Sequence, residues 1–191
     1  MLRVMIVDEK PERAALLADA LQNSGYDVIA RVTAHDGLQA RIVESQPDVI
    51  VIDVDSPDRD TLEHMCCIGH PSQRPVVMFT HDDDEEKIRI AMRAGVSAYI
   101  VNGLSNERIK PIIEVAVARF QEYQTLRDDL AKANNALAER KVIERAKGLI
   151  MQQRHCTEQE AYQALRKLAM AGNQRLAEVA GNVLSAAQLL I

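Results

Sequence analysis

Residues 48–53 read Asp-Val-Ile-Val-Ile-Asp, four β-branched residues in a row between two carboxylates. An apolar run without polar alternation is what a strand covered on both faces needs, as in a parallel sheet. Its closing residue, Asp53, then falls at the carboxyl end of that strand. Residues 2–9 follow the same plan: Leu2–Val7 is mostly apolar and stops at Asp8-Glu9. Working outward, further strand-like runs lie at Val28–Val32, Pro75–Phe79 and Ala98–Val101. Helical spacing fills the gaps. Pro11–Asn23 places Ala14, Leu17 and Leu21 on one face and ends at Ser24-Gly25, a stop signal. Asp36–Glu44, a short stretch near Thr61–Ile68, Asp83–Ala94 and a segment from Asn106 read as further helices. Five strands alternating with five helices predict an α/β fold, a doubly wound five-stranded parallel sheet.

In such sheets ligands sit at the carboxyl ends of the strands. That rule selects Asp8-Glu9, Asp53, Thr80 and Asn102. Carboxylates meeting at one edge repel unless a cation joins them, and hard oxygen ligands suit Mg2+. A carboxylate beside such a cation is a phosphoryl acceptor, since the metal offsets the charge in transfer. The Thr80 hydroxyl is placed to donate to a phosphoryl oxygen. The acidic run Asp82–Glu86 is read as the favoured start of a helix, and Cys66-Cys67 as packing residues.

The Asp8-Glu9 pair, Asp53, Thr80 and Ala98-Tyr99 resemble the receiver domain of bacterial response regulators, over about residues 1–120. The resemblance implies a flavodoxin-like fold with Asp53 as phospho-acceptor. It implies Mg2+ held by Asp8, Glu9, Asp53 and the Asp55 carbonyl, with Thr80 and Tyr99 as switch residues. One position departs from the pattern. Receivers usually carry Lys then Pro after the fifth strand, and here Asn102-Gly103 follows Val101. Asn102 offers a hydrogen bond without a charge, and charge-assisted bonds are roughly twice as strong as neutral ones. Reading of phosphorylation is therefore expected to be weakened, and gating by a protein bound to the receiver is the competing expectation.

Composition bounds the rest. In 191 residues, 47% are hydrophobic and 27% charged, so a core is expected and bulk disorder excluded. No apolar run approaches the length of a membrane span, and charges at Asp8, Glu9 and Lys10 interrupt any signal-peptide core. Three cysteines without metal-ligand spacing read as reduced thiols in a cytoplasm. Four Tyr, two Phe and no Trp argue against an aromatic platform for single strands. Residues 1–122 carry 13 Lys+Arg against 21 Asp+Glu, whereas residues 123–191 carry 10 against 7. An acidic front and a basic back suggest two tasks on one chain.

From Ile109 apolar residues recur at alternating three and four: Ile109, Ile112, Ala116, then Tyr123, Leu126, Leu130, Ala133 and Leu137. No Gly interrupts residues 104–147 and no Pro follows Pro111. The pattern predicts one long helix that pairs two chains as a parallel coiled coil, with Tyr123, Leu126, Leu130 and Leu137 as dimerisation residues. The organisation expected is a receiver over 1–121, a coiled-coil linker over 122–138 and an all-α three-helix bundle over 139–191.

In that tail, Val142, Ile143, Ala146, Leu149 and Ile150 share an apolar face, and Arg140, Lys147 and Arg154 recur every seven residues on another. Glu144 is spaced to pair with Arg140 or Lys147. Thr157 with Glu160 makes a capping box, and Gly172-Asn173 ends the second helix. The third helix begins near Gln174 and holds one cation, Arg175, at its start. A DNA-recognition helix carries basic and polar residues into the major groove, and this one is mostly apolar. The remaining cations follow a phosphate backbone or a folded RNA loop better.

Ala146-Lys147-Gly148-Leu149-Ile150-Met151, Glu160-Ala161-Tyr162, Leu165-Arg166, Ala169, Leu176 and Val179-Ala180 closely resemble the ANTAR domain, an RNA-binding antiterminator module found behind receivers. The match covers about residues 139–185. With the missing receiver lysine, the whole chain resembles the ANTAR regulators of bacterial nitrate and nitrite assimilation. That resemblance implies a homodimer binding paired hairpins in a leader RNA, and control by a cytoplasmic nitrate/nitrite sensor protein. Lys147 is the first expected RNA contact, followed by Arg145, Arg154, Arg166, Arg175, Arg140 and Lys141. Tyr162 is assigned to core before stacking. No nucleophile–base spacing or Gly-rich phosphate loop points to an enzyme.

Overall fold

The computed structural model describes residues 1–33, 37–57, 74–102 and 106–188. The helix expected near Thr61–Ile68 and the Cys66-Cys67 pair lie outside the described residues. The chain divides into two compact units, Met1–Gln124 and Thr125–Ile191.

The first unit is built on strands β1 (Arg3–Asp8), β2 (Asp27–Val32), β3 (Val49–Val54), β4 (Val76–Thr80) and β5 (Ala98–Val101). They pair in parallel in the order β2-β1-β3-β4-β5. Helices α1 (Pro11–Asn23), α2 (Leu38–Ser45) and α3 (Glu85–Arg93) connect them, and α4 (Asn106–Arg154) follows β5. The doubly wound parallel sheet expected from the apolar runs is the fold observed.

Period-two alternation splits the strands between two cores. Val4, Ile6, Val49, Val51, Val77 and Phe79 pack with Leu17 and Leu21 of α1 and Ile109, Ile113 and Ala116 of α4. Met5, Val7, Ile50, Ile52 and Met78 face the other way, onto Ile42 of α2 and Ala91 of α3. β3 lies inside the sheet and is buried from Val49 to Asp53. Its uninterrupted β-branched run follows from that double covering.

Local signals set the helix ends. Pro11 opens α1, where a missing N–H removes no helical bond. α2 starts at Leu38 behind Gly37, which adopts φ 65°. Asp84 caps α3 by accepting the Glu86 N–H at 2.8 Å, and Glu85 and Glu86 fill its first turn. The acidic run is thus a helix start, as expected.

The coiled-coil seam needs one correction. Ile109 and Ala116 are fully buried in the core of the first unit, so the pattern there serves packing on the sheet. Exposure begins later on the same helix. Tyr123, Leu126, Leu130 and Leu137 are 53–62% exposed. α4 is one helix of 49 residues, so residues 122–154 continue it without a break.

In the second unit, the end of α4 packs with α5 (Glu158–Gly172) and α6 (Leu176–Gln188). Ala146, Ile150, Ala161, Leu165, Val179 and Ala180 form the shared core. Small residues at Ala146, Ala161 and Ala180 are completely or almost completely covered, which allows close approach of the helices. The Thr157–Glu160 capping box is present, and Asn173 ends α5 at φ 50°. Cys156 is a free, half-buried thiol against this core.

Candidate functional site

Parallel pairing brings the selected strand ends together. Asp8 of β1 pairs in register with Asp53 of β3, and Thr80 of β4 lies beside Val54. Asp8, Asp53 and Thr80 are all buried, whereas Glu9 is exposed. Asp55 follows β3 in an exposed loop.

The centre of this pocket is a residue the sequence reading passed over. Arg13 lies in the first turns of α1, and its guanidinium reaches three aspartates. Its Nε and Nη2 donate to the two Asp8 oxygens, each at 2.9 Å. Nη2 also donates to the Asp53 carbonyl at 2.9 Å, and Nε lies 3.3 Å from Asp53 Oδ2. Nη1 bonds Asp55, whose other oxygen takes Lys10. The hydrogen bond to Asp8 holds the guanidinium firmly charged. Lys10 and Arg13 draw the Asp55 carboxyl below its usual range. Asp53 moves the other way. Burial raises its carboxyl, against the pull of Arg13, and its Oδ2 has no hydrogen-bond partner. The available signal was a cation five residues after Asp8, on the helix that the first strand end feeds.

Receiver domains generally hold Mg2+ at this place. Here the residues do not fit a resident divalent ion. The expected set of Asp8, Glu9, Asp53 and Asp55 does not converge as a ligand sphere, and among the described residues no cluster of His, Cys, Asp and Glu is arranged to hold a metal. Arg13 stands among three of the four, and the Asp55 carbonyl accepts the Thr80 hydroxyl at 3.0 Å and the His81 N–H at 3.1 Å.

The expected switch residues Thr80 and Tyr99, and Asn102 after β5, all meet the segment after β4. The Thr80 hydroxyl accepts the Asp82 N–H at 3.1 Å, and the half-buried Tyr99 hydroxyl donates to the Asp82 carbonyl at 3.1 Å. Asn102 Oδ1 lies 2.7 Å from His81 Nδ1. An amide oxygen only accepts, so this contact is a hydrogen bond in the tautomer that protonates Nδ1. Asn102 has φ 51°, a left-handed backbone that Asn tolerates better than most residues. Lys87 and Ser56 bond Asp82 and pull its carboxyl down to about 2.

In the second unit, Lys147 is placed differently from expectation. It is 7% exposed, and its ammonium lies 2.7 Å from Glu144 and 2.6 Å from Glu158. The seven-residue stripe of cations is therefore interrupted. Lys147 fastens α4 to the start of α5, and its charge is engaged inside the protein. Arg140, Lys141, Arg145, Arg154, Arg166, Lys167 and Arg175 are exposed. α6 itself contains no Lys or Arg. A groove of about 520 Å³ lies at the α5–α6 turn, lined among others by Tyr162, Arg166, Asn173, Gln174 and Arg175. Tyr162 is 41% exposed, so its ring faces this groove and stays outside the buried core to which it was assigned.

The parallel sheet with acidic residues ending β1 and β3 and a hydroxyl ending β4 defines a receiver-type signalling domain. The profile of the response regulator receiver domain matches residues 4–114, and that of the ANTAR domain matches residues 131–184. The chain belongs to the response regulators that join a receiver to an ANTAR domain. The transcriptional regulatory protein PdtaR of Mycobacterium tuberculosis is 32% identical over 184 residues, 95% of this chain and 89% of that protein. The nitrate regulatory protein of Klebsiella oxytoca is 41% identical over 76 residues, which span 40% of this chain and 19% of that protein. Among solved structures, a CheY-like receiver domain protein from Methanospirillum hungatei matches with a TM-score of 0.55 at 22% identity. That match covers 64% of this chain and 98% of the other, and concerns the fold.

Proposed function

We propose that this chain binds a structured, two-hairpin leader RNA and prevents transcription termination in nitrate and nitrite assimilation genes. It acts by binding, in the cytoplasm, without an enzymatic step of its own. The observation that carries the reading is the placement of the tail's cations. They are exposed on the end of α4, on α5 and at the α5–α6 turn, while α6 has none to insert into a DNA groove. The groove beside Tyr162, Arg166 and Arg175 has room for an unstacked base, with a ring to stack on and two guanidinium groups for phosphate. Arg140, Lys141, Arg145 and Arg154 extend that contact along the RNA backbone. Lys147 supports this surface by holding α4 on α5. The nitrate assignment draws on the resemblance to the nitrate regulatory protein and on the receiver's missing lysine.

The exposed stripe Tyr123, Leu126, Leu130 and Leu137, within the 122–138 linker, pairs two copies in parallel. Two tails then engage two hairpins, and effective concentration raises the overall affinity without new contacts. A nitrate/nitrite sensor protein bound to the receiver gates the pair. Phosphorylation of Asp53 is the second reading of the input, favoured by its Oδ2, which is buried without a hydrogen-bond partner.

Binding to a two-hairpin leader RNA and to duplex DNA of equal length, at matched salt, tests the tail. Preference for RNA is expected. Arg166→Ala with Arg175→Ala should weaken RNA binding and flatten the salt slope by about two ions. Equal or tighter binding to the duplex would refute the reading, as would wild-type affinity in the double variant.

A further inference from the structure

The acid pocket carries a charge arrangement that the tail's function does not use. Three aspartates, two of them buried, approach one another at the ends of β1 and β3, and one guanidinium touches all three. We propose that Arg13 is the built-in cation of this receiver, so that Mg2+ enters only by exchange against the guanidinium. This inference goes beyond the RNA reading and does not depend on it.

The geometry favours a guanidinium over a metal ion. Arg presents several N–H groups in a rigid planar fork, which suits carboxylates lying on different sides of it. Arg13 engages all three nitrogens of that fork: Nε and Nη2 go to Asp8, Nη2 also to the Asp53 carbonyl, and Nη1 to Asp55. Mg2+ requires near-octahedral oxygens at roughly 2.0–2.1 Å. Here the Asp8 oxygens and the Asp53 carbonyl stand 2.9 Å from the two guanidinium nitrogens that occupy the space between them. The Asp55 carbonyl, which the receiver pattern assigns to the metal, already accepts from Thr80 and His81.

The substitution after β5 fits the same scheme. Receivers place a lysine there, and this chain has Asn102, whose amide is engaged with His81. Arg13 brings a positive charge to the pocket from the first turns of α1. In this chain the positive charge comes from α1, and none comes from the position after β5. A cation that belongs to the chain offsets part of the aspartates' charge at any magnesium concentration. Entry of Mg2+ then requires that the Asp8–Arg13 pair, buried on its Asp8 side, be broken first.

The test compares the full-length wild type with Arg13→Met by calorimetric Mg2+ titration and thermal melting, with Mn2+ as a spectroscopic probe. The wild type should keep its Tm in EDTA and in magnesium. Arg13→Met should melt lower without metal and recover on saturable binding of Mg2+, with an apparent Kd at least about tenfold tighter than the wild type's. Arg13→Lys, with one ammonium in place of the fork, should fall between them. Equal Mg2+ affinity in wild type and Arg13→Met overturns the proposal. So does a folded Arg13→Met, verified by circular dichroism, that binds no Mg2+. Should Arg13→Met not fold, Arg13→Lys decides: an Mg2+ affinity equal to the wild type's overturns the proposal.

Discussion

Arg13 in the first unit and Lys147 in the second are both cations held among carboxylates, and they differ in balance. Lys147 has two carboxylates, Glu144 one turn away on its own helix and Glu158 on the next, and both reach it closely. Arg13 faces three, and one of them, Asp53, keeps an oxygen without a hydrogen bond. Lys147 is a fastening. The Arg13 cluster is an unequal contest, which a function can tip. The difference teaches that a buried cation marks a signalling site best where one of its partners keeps an unsatisfied oxygen.

The contrast can be broken at several points. The largest effect belongs to neither ion pair. Leu165 is completely buried between the tail helices, so Leu165→Ala should cost about 2–4 kcal/mol. Hydrogen exchange should then report an opened tail beside a protected sheet. Arg13→Met comes next. Breaking a fully buried pair costs roughly 3–5 kcal/mol. The Arg13 side chain keeps 19% of its exposure, so about 2 kcal/mol is expected in chemical denaturation without metal.

Asp53→Asn sharpens the comparison from the other side. Burial holds the Asp53 carboxyl above its ordinary value, so the folded state favours the neutral group. The neutral amide should raise Tm by about 2–4 °C, equivalent to about 1 kcal/mol. Lys147→Met should lower the Tm of the tail and weaken RNA binding only through that loss of structure. Affinity measured well below the melting temperature should stay near wild type, in contrast with Arg166→Ala.

The smallest effect is a pH dependence. A carboxyl raised on folding, such as Asp53, contributes stability below its folded pKa and loses it as pH rises through that value. Asp82 has the opposite sign. Its carboxyl is held at about 2, so its contribution is present above the ordinary carboxylate value and is lost as pH falls toward 2. Acid melts of Lys87→Met should lose this second component first, since Lys87 is the main cause of the Asp82 shift.

The fold was legible because burial on both sheet faces writes itself as unbroken β-branched runs, as in Val49–Ile52. Strand ends were legible because the register that aligns Asp8 with Asp53 follows from parallel pairing. Capping at Thr157 and the stop at Asn173 were legible because they are local. Arg13 was not, since nothing in a helical pattern tells which exposed-looking cation turns inward to meet another strand. Lys147 was misplaced for a related reason. Sevenfold spacing puts it on the same side as Arg140 and Arg154, but Glu158 arrives from the next helix and covers it. The seam at Ile109 and Ala116 failed likewise, because a heptad stripe does not say whether it faces a sheet or a second copy.

The backbone at Asn102 limits what can replace it. With φ 51° and its amide paired with His81, this position is not an open slot for a lysine. An Asn102→Lys change would put a long side chain on left-handed backbone, at about 1–2 kcal/mol, and would bring a further cation to a pocket that Arg13 already occupies. A lysine at 102 would meet the pocket's carboxylates without competition from α1 only if Arg13 were replaced as well. Residues 13 and 102 are thus interdependent, and Asn102→Lys should cost more in the wild type than in Arg13→Met.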